Sequence, residues 1–293
     1  MDPDRIQRAL RQHLKTDRML GVEAVPYLVE IDLQAVHNVT PVREAPPVKI
    51  KPAPGSTPAP GSAPGSPASP LQLHPSSFTL DTSVPADAAG RQALLDAFND
   101  AEVRACTRCA LCNSRTQTVF GEGDPTADVM FIGEGPGRDE DIQGRPFVGR
   151  SGELLDKQIQ AMGQHAKIPG FDRRNVYIAN VVKCRPPQNR TPTPEEAEAC
   201  WTYLSRQIMI IQPKVIITLG GPAAKRLLNT DQGVTRLRGN WQQVELGGRT
   251  YPLMPTFHPA YLLRSYTREN RMKVWSDLQA AMDQAIRARS VSE

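Results

Sequence analysis

The chain has 293 residues, 39% of them hydrophobic, and a formal net charge of +4 from 35 basic and 31 acidic residues. No apolar run approaches the roughly 20 residues that span a bilayer, and the first ten residues lack the apolar core of a secretory signal. These features exclude a membrane protein and predict a cytoplasmic one. The mild positive charge is compatible with a nucleic-acid partner.

The prolines are concentrated before the main folded region. Eleven of the 27 lie between Pro41 and Pro75, in a tract rich in Pro, Gly, Ser and Ala. Such a tract cannot bury enough apolar surface to offset the entropy lost on ordering, so we predict a disordered linker over residues 41–75. Residues 1–40 precede it, and their stretch IQRALRQHL has an amphipathic pattern that predicts a helix with a protein partner. Residues 91–293 are long enough for one well-buried domain.

Within that domain, short apolar runs alternate with helical patterns. A helix is predicted over residues 91–103, directly before a group of cysteines. Four apolar runs stand out, and the first three are rich in Val and Ile and lack polar alternation, which is typical of buried parallel strands. The strands are predicted at 128–133, 175–182, 214–220 and 250–257, and further helices at 150–163, 194–211, 222–228 and 272–286. The alternation predicts an α/β fold with a parallel sheet covered on both faces.

The loops after the four predicted strands have unusual compositions for connectors. They read GEGPGRDED, KCRPPQNR, LGGPAA and HPAYLLR in chain order. Because the carboxyl ends of parallel strands meet at one edge of a sheet, these loops are expected to gather where such folds bind their ligands. The sequence therefore predicts a functional site at that edge.

A reducing compartment argues against a disulfide framework for the five cysteines. Cys106 and Cys109 form a CxxC pair, Cys112 follows three residues later, Cys184 comes after the second predicted strand, and Cys200 lies in the next helix. Four gathered thiolates are the usual ligands of zinc or of an iron–sulfur cluster. The spacing leaves open which metal binds and whether Cys106 or Cys112 completes the set. Buried cysteines beside an unrelated CxxC pair are the alternative.

Six stretches, taken in order, resemble one known family. They are CTRC with RTQTVFGEG, GEGPGRDEDIQGRPFVGRSGELLD, NVVKCRPPQNR, PTPEEAEAC, KVIITLG and TFHPAYLLR, between residues 106 and 264. With this set the chain resembles the family 4 uracil-DNA glycosylases, the bacterial and archaeal iron–sulfur class. The resemblance implies a three-layer α/β/α domain with a four-stranded parallel sheet. It also implies a monofunctional enzyme of base excision repair that flips uracil out of single- or double-stranded DNA and hydrolyses its N-glycosidic bond; we expect a monomer.

The resemblance further implies a [4Fe-4S] cluster. Its ligands correspond to Cys106, Cys109, Cys184 and Cys200. Cys112 falls at a position that the family does not require. Arg185 and Arg190 lie beside Cys184 and are expected to contact DNA phosphates, so that the cluster braces a DNA-binding loop and performs no redox step in the reaction.

Three residues match the family's pocket for the flipped base. Asn180 matches the residue that reads the base, because its amide oxygen can accept from uracil N3–H while its nitrogen donates to O4, a pattern that cytosine reverses. Phe147 matches the aromatic residue that stacks on the base. At Gly135 the family commonly has alanine, beside the site where other glycosylase families place a catalytic aspartate. Neither residue ionises, so the attacking water must depend on another carboxylate or on backbone groups.

Three side chains are predicted to act on the glycosidic bond. His258 in HPAYLLR matches the family's histidine that donates to the departing uracil, and a neutral imidazole can make that hydrogen bond. Glu134 and Glu140 in GEGPGRDED are the carboxylates that can activate the water and stabilise the cationic sugar, with Glu134 preferred. The pocket motifs are expected to supply no lysine for a Schiff base, so lyase activity is not expected.

Residues 259–264 are predicted to handle the duplex. Tyr261 and Leu262 would wedge into the gap left by the flipped base, and Arg264 would contact phosphate. Two other functions stay open: a protein that captures uracil sites in DNA without turnover, and a zinc-stabilised scaffold without catalysis. Relatives of the first kind carry an inserted basic loop ending in histidine, which residues 144–155 lack.

Overall fold

The structure is a computed structural model that describes residues 84–290. The predicted N-terminal segment 1–40 and the linker 41–75 lie outside the described residues. Within residues 84–290, one sheet carries helices on both faces, which confirms the three-layer α/β/α class. No helix in this part of the chain combines the length and apolarity needed to cross a bilayer.

The sheet of the described region has six strands. They are β1 (Glu122–Gly123), β2 (Val129–Gly133), β3 (Tyr177–Asn180), β4 (Val215–Leu219), β5 (Gln242–Leu246) and β6 (Arg249–Thr256). Their spatial order is β1-β3-β2-β4-β6-β5. The four central strands run parallel, so the predicted four-stranded parallel sheet is confirmed. The two edge strands are antiparallel additions that the sequence analysis does not predict.

Neither edge strand carries an unbroken apolar run. β1 has only two residues, and β5 buries Val244 while its other residues are partly or fully exposed. β5 joins β6 through Gly247 and Gly248, whose φ values are 57° and 74°. Two consecutive left-handed residues close a two-residue hairpin, and glycine adopts that conformation without steric cost.

The helices of residues 84–290 follow the predicted alternation. They are α1 (Ala88–Phe98), α2 (Arg138–Gln143), α3 (Gly149–His165), α4 (Pro194–Ile211), α5 (Gly221–Leu228), α6 (Val234–Leu237), α7 (Pro259–Arg264) and α8 (Arg268–Ser290). α1 continues into a π-helical turn over Asn99–Val103, so the helix predicted before the cysteines is confirmed. α4 begins at a capping box, in which Thr193 Oγ1 accepts from the Glu196 N–H and Glu196 Oε2 accepts from the Thr193 N–H.

Successive strand side chains point to opposite faces and build two cores. Ile132 and Ile216 pack on one face with α1, α4 and α5. Phe131 and Ile217 pack on the other face with α3 and α8. Because both faces are covered, the carboxyl ends of the parallel strands are where loops can surround a ligand.

Candidate functional site

The loops after β2, β3, β4 and β6 surround a cavity of about 610 Å³ at the carboxyl edge of the parallel strands. The predicted residues that line it are Glu134, Gly135, Glu140, Phe147, Asn180, Arg190, His258, Tyr261 and Arg264. Arg185 and Leu262 are absent from the lining. A second cavity, of about 720 Å³, lies beside α1 and β1 and contains none of the predicted residues. The expected functional edge is therefore the one where the predicted side chains meet.

Asn180 ends β3 and is 2% exposed. Its Oδ1 atom is buried and accepts no hydrogen bond from any described residue. Gly133 pairs with Asn180 across the sheet, and a Cβ there would lie 2.4 Å from Asn180 Oδ1 and 2.5 Å from Phe147 Cζ. Glycine at the end of β2 thus lets the amide and the aromatic ring approach each other.

Phe147 is held in an uncommon backbone conformation, with φ at 51°. Arg173 Nη1 donates to its carbonyl oxygen at 3.0 Å, and a Cβ on Gly152 would lie 1.8 Å from that oxygen. A left-handed conformation at a non-glycine residue costs on the order of 1–3 kcal/mol and persists only where the surroundings enforce it. The ring stacks on His258, with centroids 5.4 Å apart and planes at 28°.

His258 caps the N-terminus of α7 with its imidazole. Its Nδ1 accepts from the Ala260 backbone N–H at 3.0 Å, so the neutral ring carries its proton on Nε2. Burial lowers the pKa of His258 to about 4, with a smaller contribution from the positive charge of Arg264. At neutral pH this side chain is therefore an uncharged donor.

Glu134 follows β2 and is partly buried in the cavity wall. Burial raises the pKa of its carboxyl group, and a hydrogen bond from Thr191 partly offsets the increase. Its backbone is also fixed, because the Val182 N–H donates to the Glu134 carbonyl oxygen at 3.2 Å. A carboxylate of raised basicity therefore faces the cavity.

Both carboxylate oxygens of Glu140 accept hydrogen bonds from backbone N–H groups. Its Oε2 accepts from the Gly137 N–H and its Oε1 from the Val148 N–H, both at 3.0 Å. Burial raises the pKa of its carboxyl group, and these backbone hydrogen bonds oppose the increase. The side chain thus ties the loop after β2 to the residue next to Phe147.

Gly135 lines the cavity, but a side chain there would point into the protein. A Cβ on Gly135 would lie 2.7 Å from Val182 Cγ2. An alanine at this position would require Val182 to shift. Val182 thus occupies the space that a side chain at Gly135 would need.

The predicted wedge residues differ in exposure. Tyr261 is 37% exposed and lines the cavity, whereas Leu262 is 2% exposed and packs in the core with α8. The prediction that Leu262 inserts into DNA is thus not supported, because its apolar side chain is already buried. Arg264 is exposed at the cavity rim.

The two arginines after Cys184 both make contacts within the protein. Arg185 Nε donates to Asn189 Oδ1 at 2.8 Å. Arg190 binds both carboxylate oxygens of Glu196, at 2.8 and 2.7 Å. This ion pair connects the loop after β3 to the first turn of α4. The same helix carries Cys200.

Some of the cavity-lining residues were not predicted as site residues. Thr191 directly follows KCRPPQNR, and Gly221 with Pro222 belongs to LGGPAA, so both lie in or beside loops whose composition is unusual. Val234 and Thr235 open the short helix α6. No motif in the sequence marks them, because only the folded chain brings α6 to the cavity.

The five cysteines form a second site. Cys106, Cys109, Cys112, Cys184 and Cys200 line one small pocket together with Arg115, Lys183 and Tyr203, and all five are free thiols. Arg115 Nη1 donates to Cys184 Sγ at 3.3 Å, and the Tyr203 hydroxyl lies 3.2 Å from Cys106 Sγ. Burial raises the pKa of Cys200 to about 11 and also raises the pKa values of Cys109 and Cys184.

Gathered thiols with raised pKa values need a cationic partner to ionise. In residues 84–290, no three His, Cys, Asp or Glu side chains are arranged to hold a single metal ion. An iron–sulfur cluster instead takes its four thiolates on different iron atoms. The donor set, with the Arg115 guanidinium beside it, fits such a cluster.

The NVVKCRPPQNR motif does contain a lysine, contrary to the expectation that the pocket motifs supply none. Lys183 is buried, and its Nζ donates to the Asn180 carbonyl oxygen at 2.9 Å and to Gln207 Oε1 at 2.6 Å. It does not line the cavity at the strand ends. The described residues that line this cavity include no lysine.

Together, the cavity residues suit one flat, polar ring. An aromatic ring, an amide with an unpartnered acceptor, a neutral imidazole donor and a basic carboxylate line the same space. A nucleobase has the shape and the alternating donors and acceptors that this set would bind.

Comparisons with known proteins agree with this geometry. The family model described as the Uracil DNA glycosylase superfamily matches residues 120–279. The type-4 uracil-DNA glycosylase of Thermotoga maritima is 45% identical over 195 residues, which cover 65% of this chain and 94% of that protein. Those of Archaeoglobus fulgidus and Sulfurisphaera tokodaii are 40% and 44% identical, over 61% and 55% of this chain and 87% and 73% of theirs. The chain therefore belongs to the uracil DNA glycosylase superfamily and, within it, to the type-4 uracil-DNA glycosylases.

Proposed function

We propose that this protein is a monofunctional uracil-DNA glycosylase, which flips uracil out of DNA, hydrolyses its N-glycosidic bond and leaves an abasic site for base excision repair. The observation that carries the proposal is the buried Oδ1 of Asn180, an acceptor without a partner among the described residues. An unpaired buried acceptor costs about 1–3 kcal/mol. Uracil N3–H is a donor that would satisfy it.

Base selection follows from the two ends of the Asn180 amide. Oδ1 accepts from uracil N3–H while Nδ2 donates to O4, and cytosine would present an acceptor and a donor in the reversed order. A site that leaves buried polar groups unpaired rejects the wrong ligand by a factor on the order of 10⁴. Stacking on Phe147 adds about 1–3 kcal/mol, which helps to offset the cost of extruding the nucleotide.

Cleavage breaks the bond between uracil N1 and the sugar C1′, and the electron pair leaves on uracil. His258 donates its Nε2–H to uracil O2, where negative charge develops, and the Ala260 N–H has already selected that tautomer. Glu134 stabilises the cationic sugar and accepts the proton of the water that adds to C1′. Its raised pKa makes it a stronger base for this step.

The surrounding residues take supporting roles. Glu140 holds the loop that carries Phe147, since both of its oxygens accept backbone hydrogen bonds. Exposed Tyr261 fills the gap left by the flipped nucleotide, and Arg264 contacts phosphate at the rim. Arg185 and Arg190 contact DNA phosphates from the neighbouring loop.

We further propose that Cys106, Cys109, Cys184 and Cys200 hold a [4Fe-4S] cluster, with Cys112 beside it. When bound, the cluster would crosslink the segment before β1, the loop after β3 and α4, which carry these four cysteines. Absorbance near 400 nm that bleaches on reduction would support the cluster. A colourless protein containing stoichiometric zinc would contradict it.

Three further features are proposals as well: action as a monomer, location in the cytoplasm, and a protein partner for residues 1–40. If a variant lacking residues 1–75 retained every partner captured by the full chain, the last of these would be wrong.

The test of the proposed function is release of uracil from a single-site oligonucleotide by the full chain and three variants. Wild type should release free uracil and leave an abasic site, whereas Asn180→Ala, Glu134→Gln and His258→Ala should each release it far more slowly. No release by wild type with an intact cluster would overturn the proposal. An SDS-stable adduct with the DNA would instead indicate capture without turnover.

A further inference from the structure

Lys183 lies between the cysteine site and the residue proposed to read the base. It directly precedes Cys184 and is three residues beyond Asn180. The side chain is 1% exposed, and its Nζ donates to the backbone carbonyl oxygen of Asn180 at 2.9 Å. A buried lysine is rare unless it is paired, so its placement needs a cause.

The second acceptor of Lys183 anchors it to α4. Nζ donates to Gln207 Oε1 at 2.6 Å, and Gln207 is 0% exposed. Gln207 Nε2 in turn donates to the Phe120 carbonyl oxygen at 2.9 Å. The lysine side chain is thus held from a fixed point in the core and is aimed at the end of β3.

The backbone of Lys183 contacts the cysteine site. Its backbone N–H donates to the Cys200 sulfur, and Cys184 is its neighbour in the chain. Its carbonyl oxygen accepts from the Val119 N–H at 2.7 Å. One residue therefore contacts two cysteines at one end and the base-reading residue at the other.

We propose that Lys183 is a positioning residue that couples the cysteine site to base recognition. It fixes the Asn180 carbonyl, and through that residue the orientation of the side-chain amide that carries the unpartnered Oδ1. The hydrogen bond to Gln207 and the chain connection to Cys184 keep the side chain in place. The inference rests on the proposed function, because Asn180 needs a fixed orientation only if it binds uracil.

The test compares Lys183→Met with Lys225→Met, a matched loss of an exposed lysine on α5. Both proteins, purified with their clusters, would be assayed for binding to DNA carrying 2′-fluoro-deoxyuridine, which resists cleavage, and to the same DNA carrying cytosine. Lys183→Met should lose at least about tenfold of the preference for uracil. Lys225→Met should keep the wild-type preference.

The reduction potential of the cluster is a second measurement. If Lys183 had a purely structural role, its replacement would not shift this potential in a fixed direction. Removing a cation beside a cluster makes its reduction less favourable, so Lys183→Met should have a lower potential than wild type. Lys225→Met should leave the potential unchanged. A wild-type preference for uracil together with an unchanged potential in Lys183→Met would overturn the proposal.

A variant of the anchor keeps the inference testable if Lys183→Met does not fold. Gln207→Met leaves Lys183 and its peptide in place but removes the fixed acceptor of the ammonium. It should lose about threefold of the uracil preference with normal cluster absorbance, and an unchanged preference would overturn the proposal. If wild type itself fails to release uracil, the proposed function fails; if wild type is active and both variants read uracil normally, only the role of Lys183 fails.

Discussion

The cavity and the cysteine site lie at opposite ends of the segment from Asn180 to Cys184, and they differ in what the fold leaves unsatisfied. In the cavity, Asn180 Oδ1 has no partner and Phe147 keeps a left-handed backbone, so these residues cost folding free energy. At the cysteine site, burial opposes ionisation of the thiols that a cluster would require. The first site therefore gives up stability for recognition, while the second should gain stability only when its cofactor binds.

The sharpest way to separate the two sites is Asn180→Ala. Losing both amide hydrogen bonds should reduce kcat/KM for uracil release by about 10³–10⁴. The Tm should stay the same or rise, because the variant removes a buried acceptor without a partner. Steady-state kinetics and thermal melts would measure both, with exposed Asn240→Ala as the control. A large fall in Tm would show that Asn180 serves packing.

The cysteine site should show the reverse pattern. Cys200→Ser should lose absorbance near 400 nm and lower the Tm by at least about 5 °C, because cofactor binding contributes to folding. Cys112→Ser should retain the absorbance and the wild-type Tm, since Cys112 is proposed to lie outside the ligand set. If Cys112→Ser lost the absorbance and a Cys106→Ser variant kept it, the proposed ligand set would be wrong.

Tyr261 and Leu262 are adjacent, yet their replacement should have different effects: one on activity and the other on stability. Both effects should be smaller than those above. Tyr261→Ala should slow uracil release from duplex DNA by about tenfold and affect single-stranded DNA less, because a wedge is needed only in a stacked duplex. Leu262→Ala should cost about 2–3 kcal/mol of unfolding free energy, as expected for a buried leucine. A duplex-specific defect in Leu262→Ala with unchanged stability would restore the prediction that this leucine inserts.

The smallest effect is the pH dependence of stability at His258. Its pKa is lowered from 6.5 to about 4 in the folded protein, so the unfolded chain binds the proton first as the pH falls. The stability that neutral His258 contributes is fully present above pH 6.5 and is lost as the pH falls to about 4. Wild type should therefore lose a few degrees more in Tm over this window than His258→Gln. Parallel curves would contradict the lowered pKa.

Much of the fold follows from local sequence. The residues of β2, β3 and β4 are all buried, and burial on both faces produces the continuous apolar runs of these segments. β5 was missed because only Val244 among its residues is buried. The pair Gly247–Gly248 between two strand-like stretches was the available signal for its hairpin.

Within the site, motifs identify the participants but not their partners. Glu134 and Glu140 lie in the same nine-residue loop, and only the fold shows that both oxygens of Glu140 are occupied by backbone N–H groups. Similarly, which of Tyr261 and Leu262 is exposed depends on how α7 packs against the core. Such assignments depend on contacts between distant segments, which a motif does not encode.

The central claim is that this site hydrolyses the glycosidic bond of uracil, and the most direct measurement is the mass of the DNA product. A single-stranded oligonucleotide with one uracil should be converted by wild type to a product in which water has replaced the base, with one equivalent of free uracil released. Strand cleavage or a covalent protein adduct would contradict monofunctional hydrolysis. An unchanged oligonucleotide in the presence of cluster-loaded protein would contradict the claim altogether.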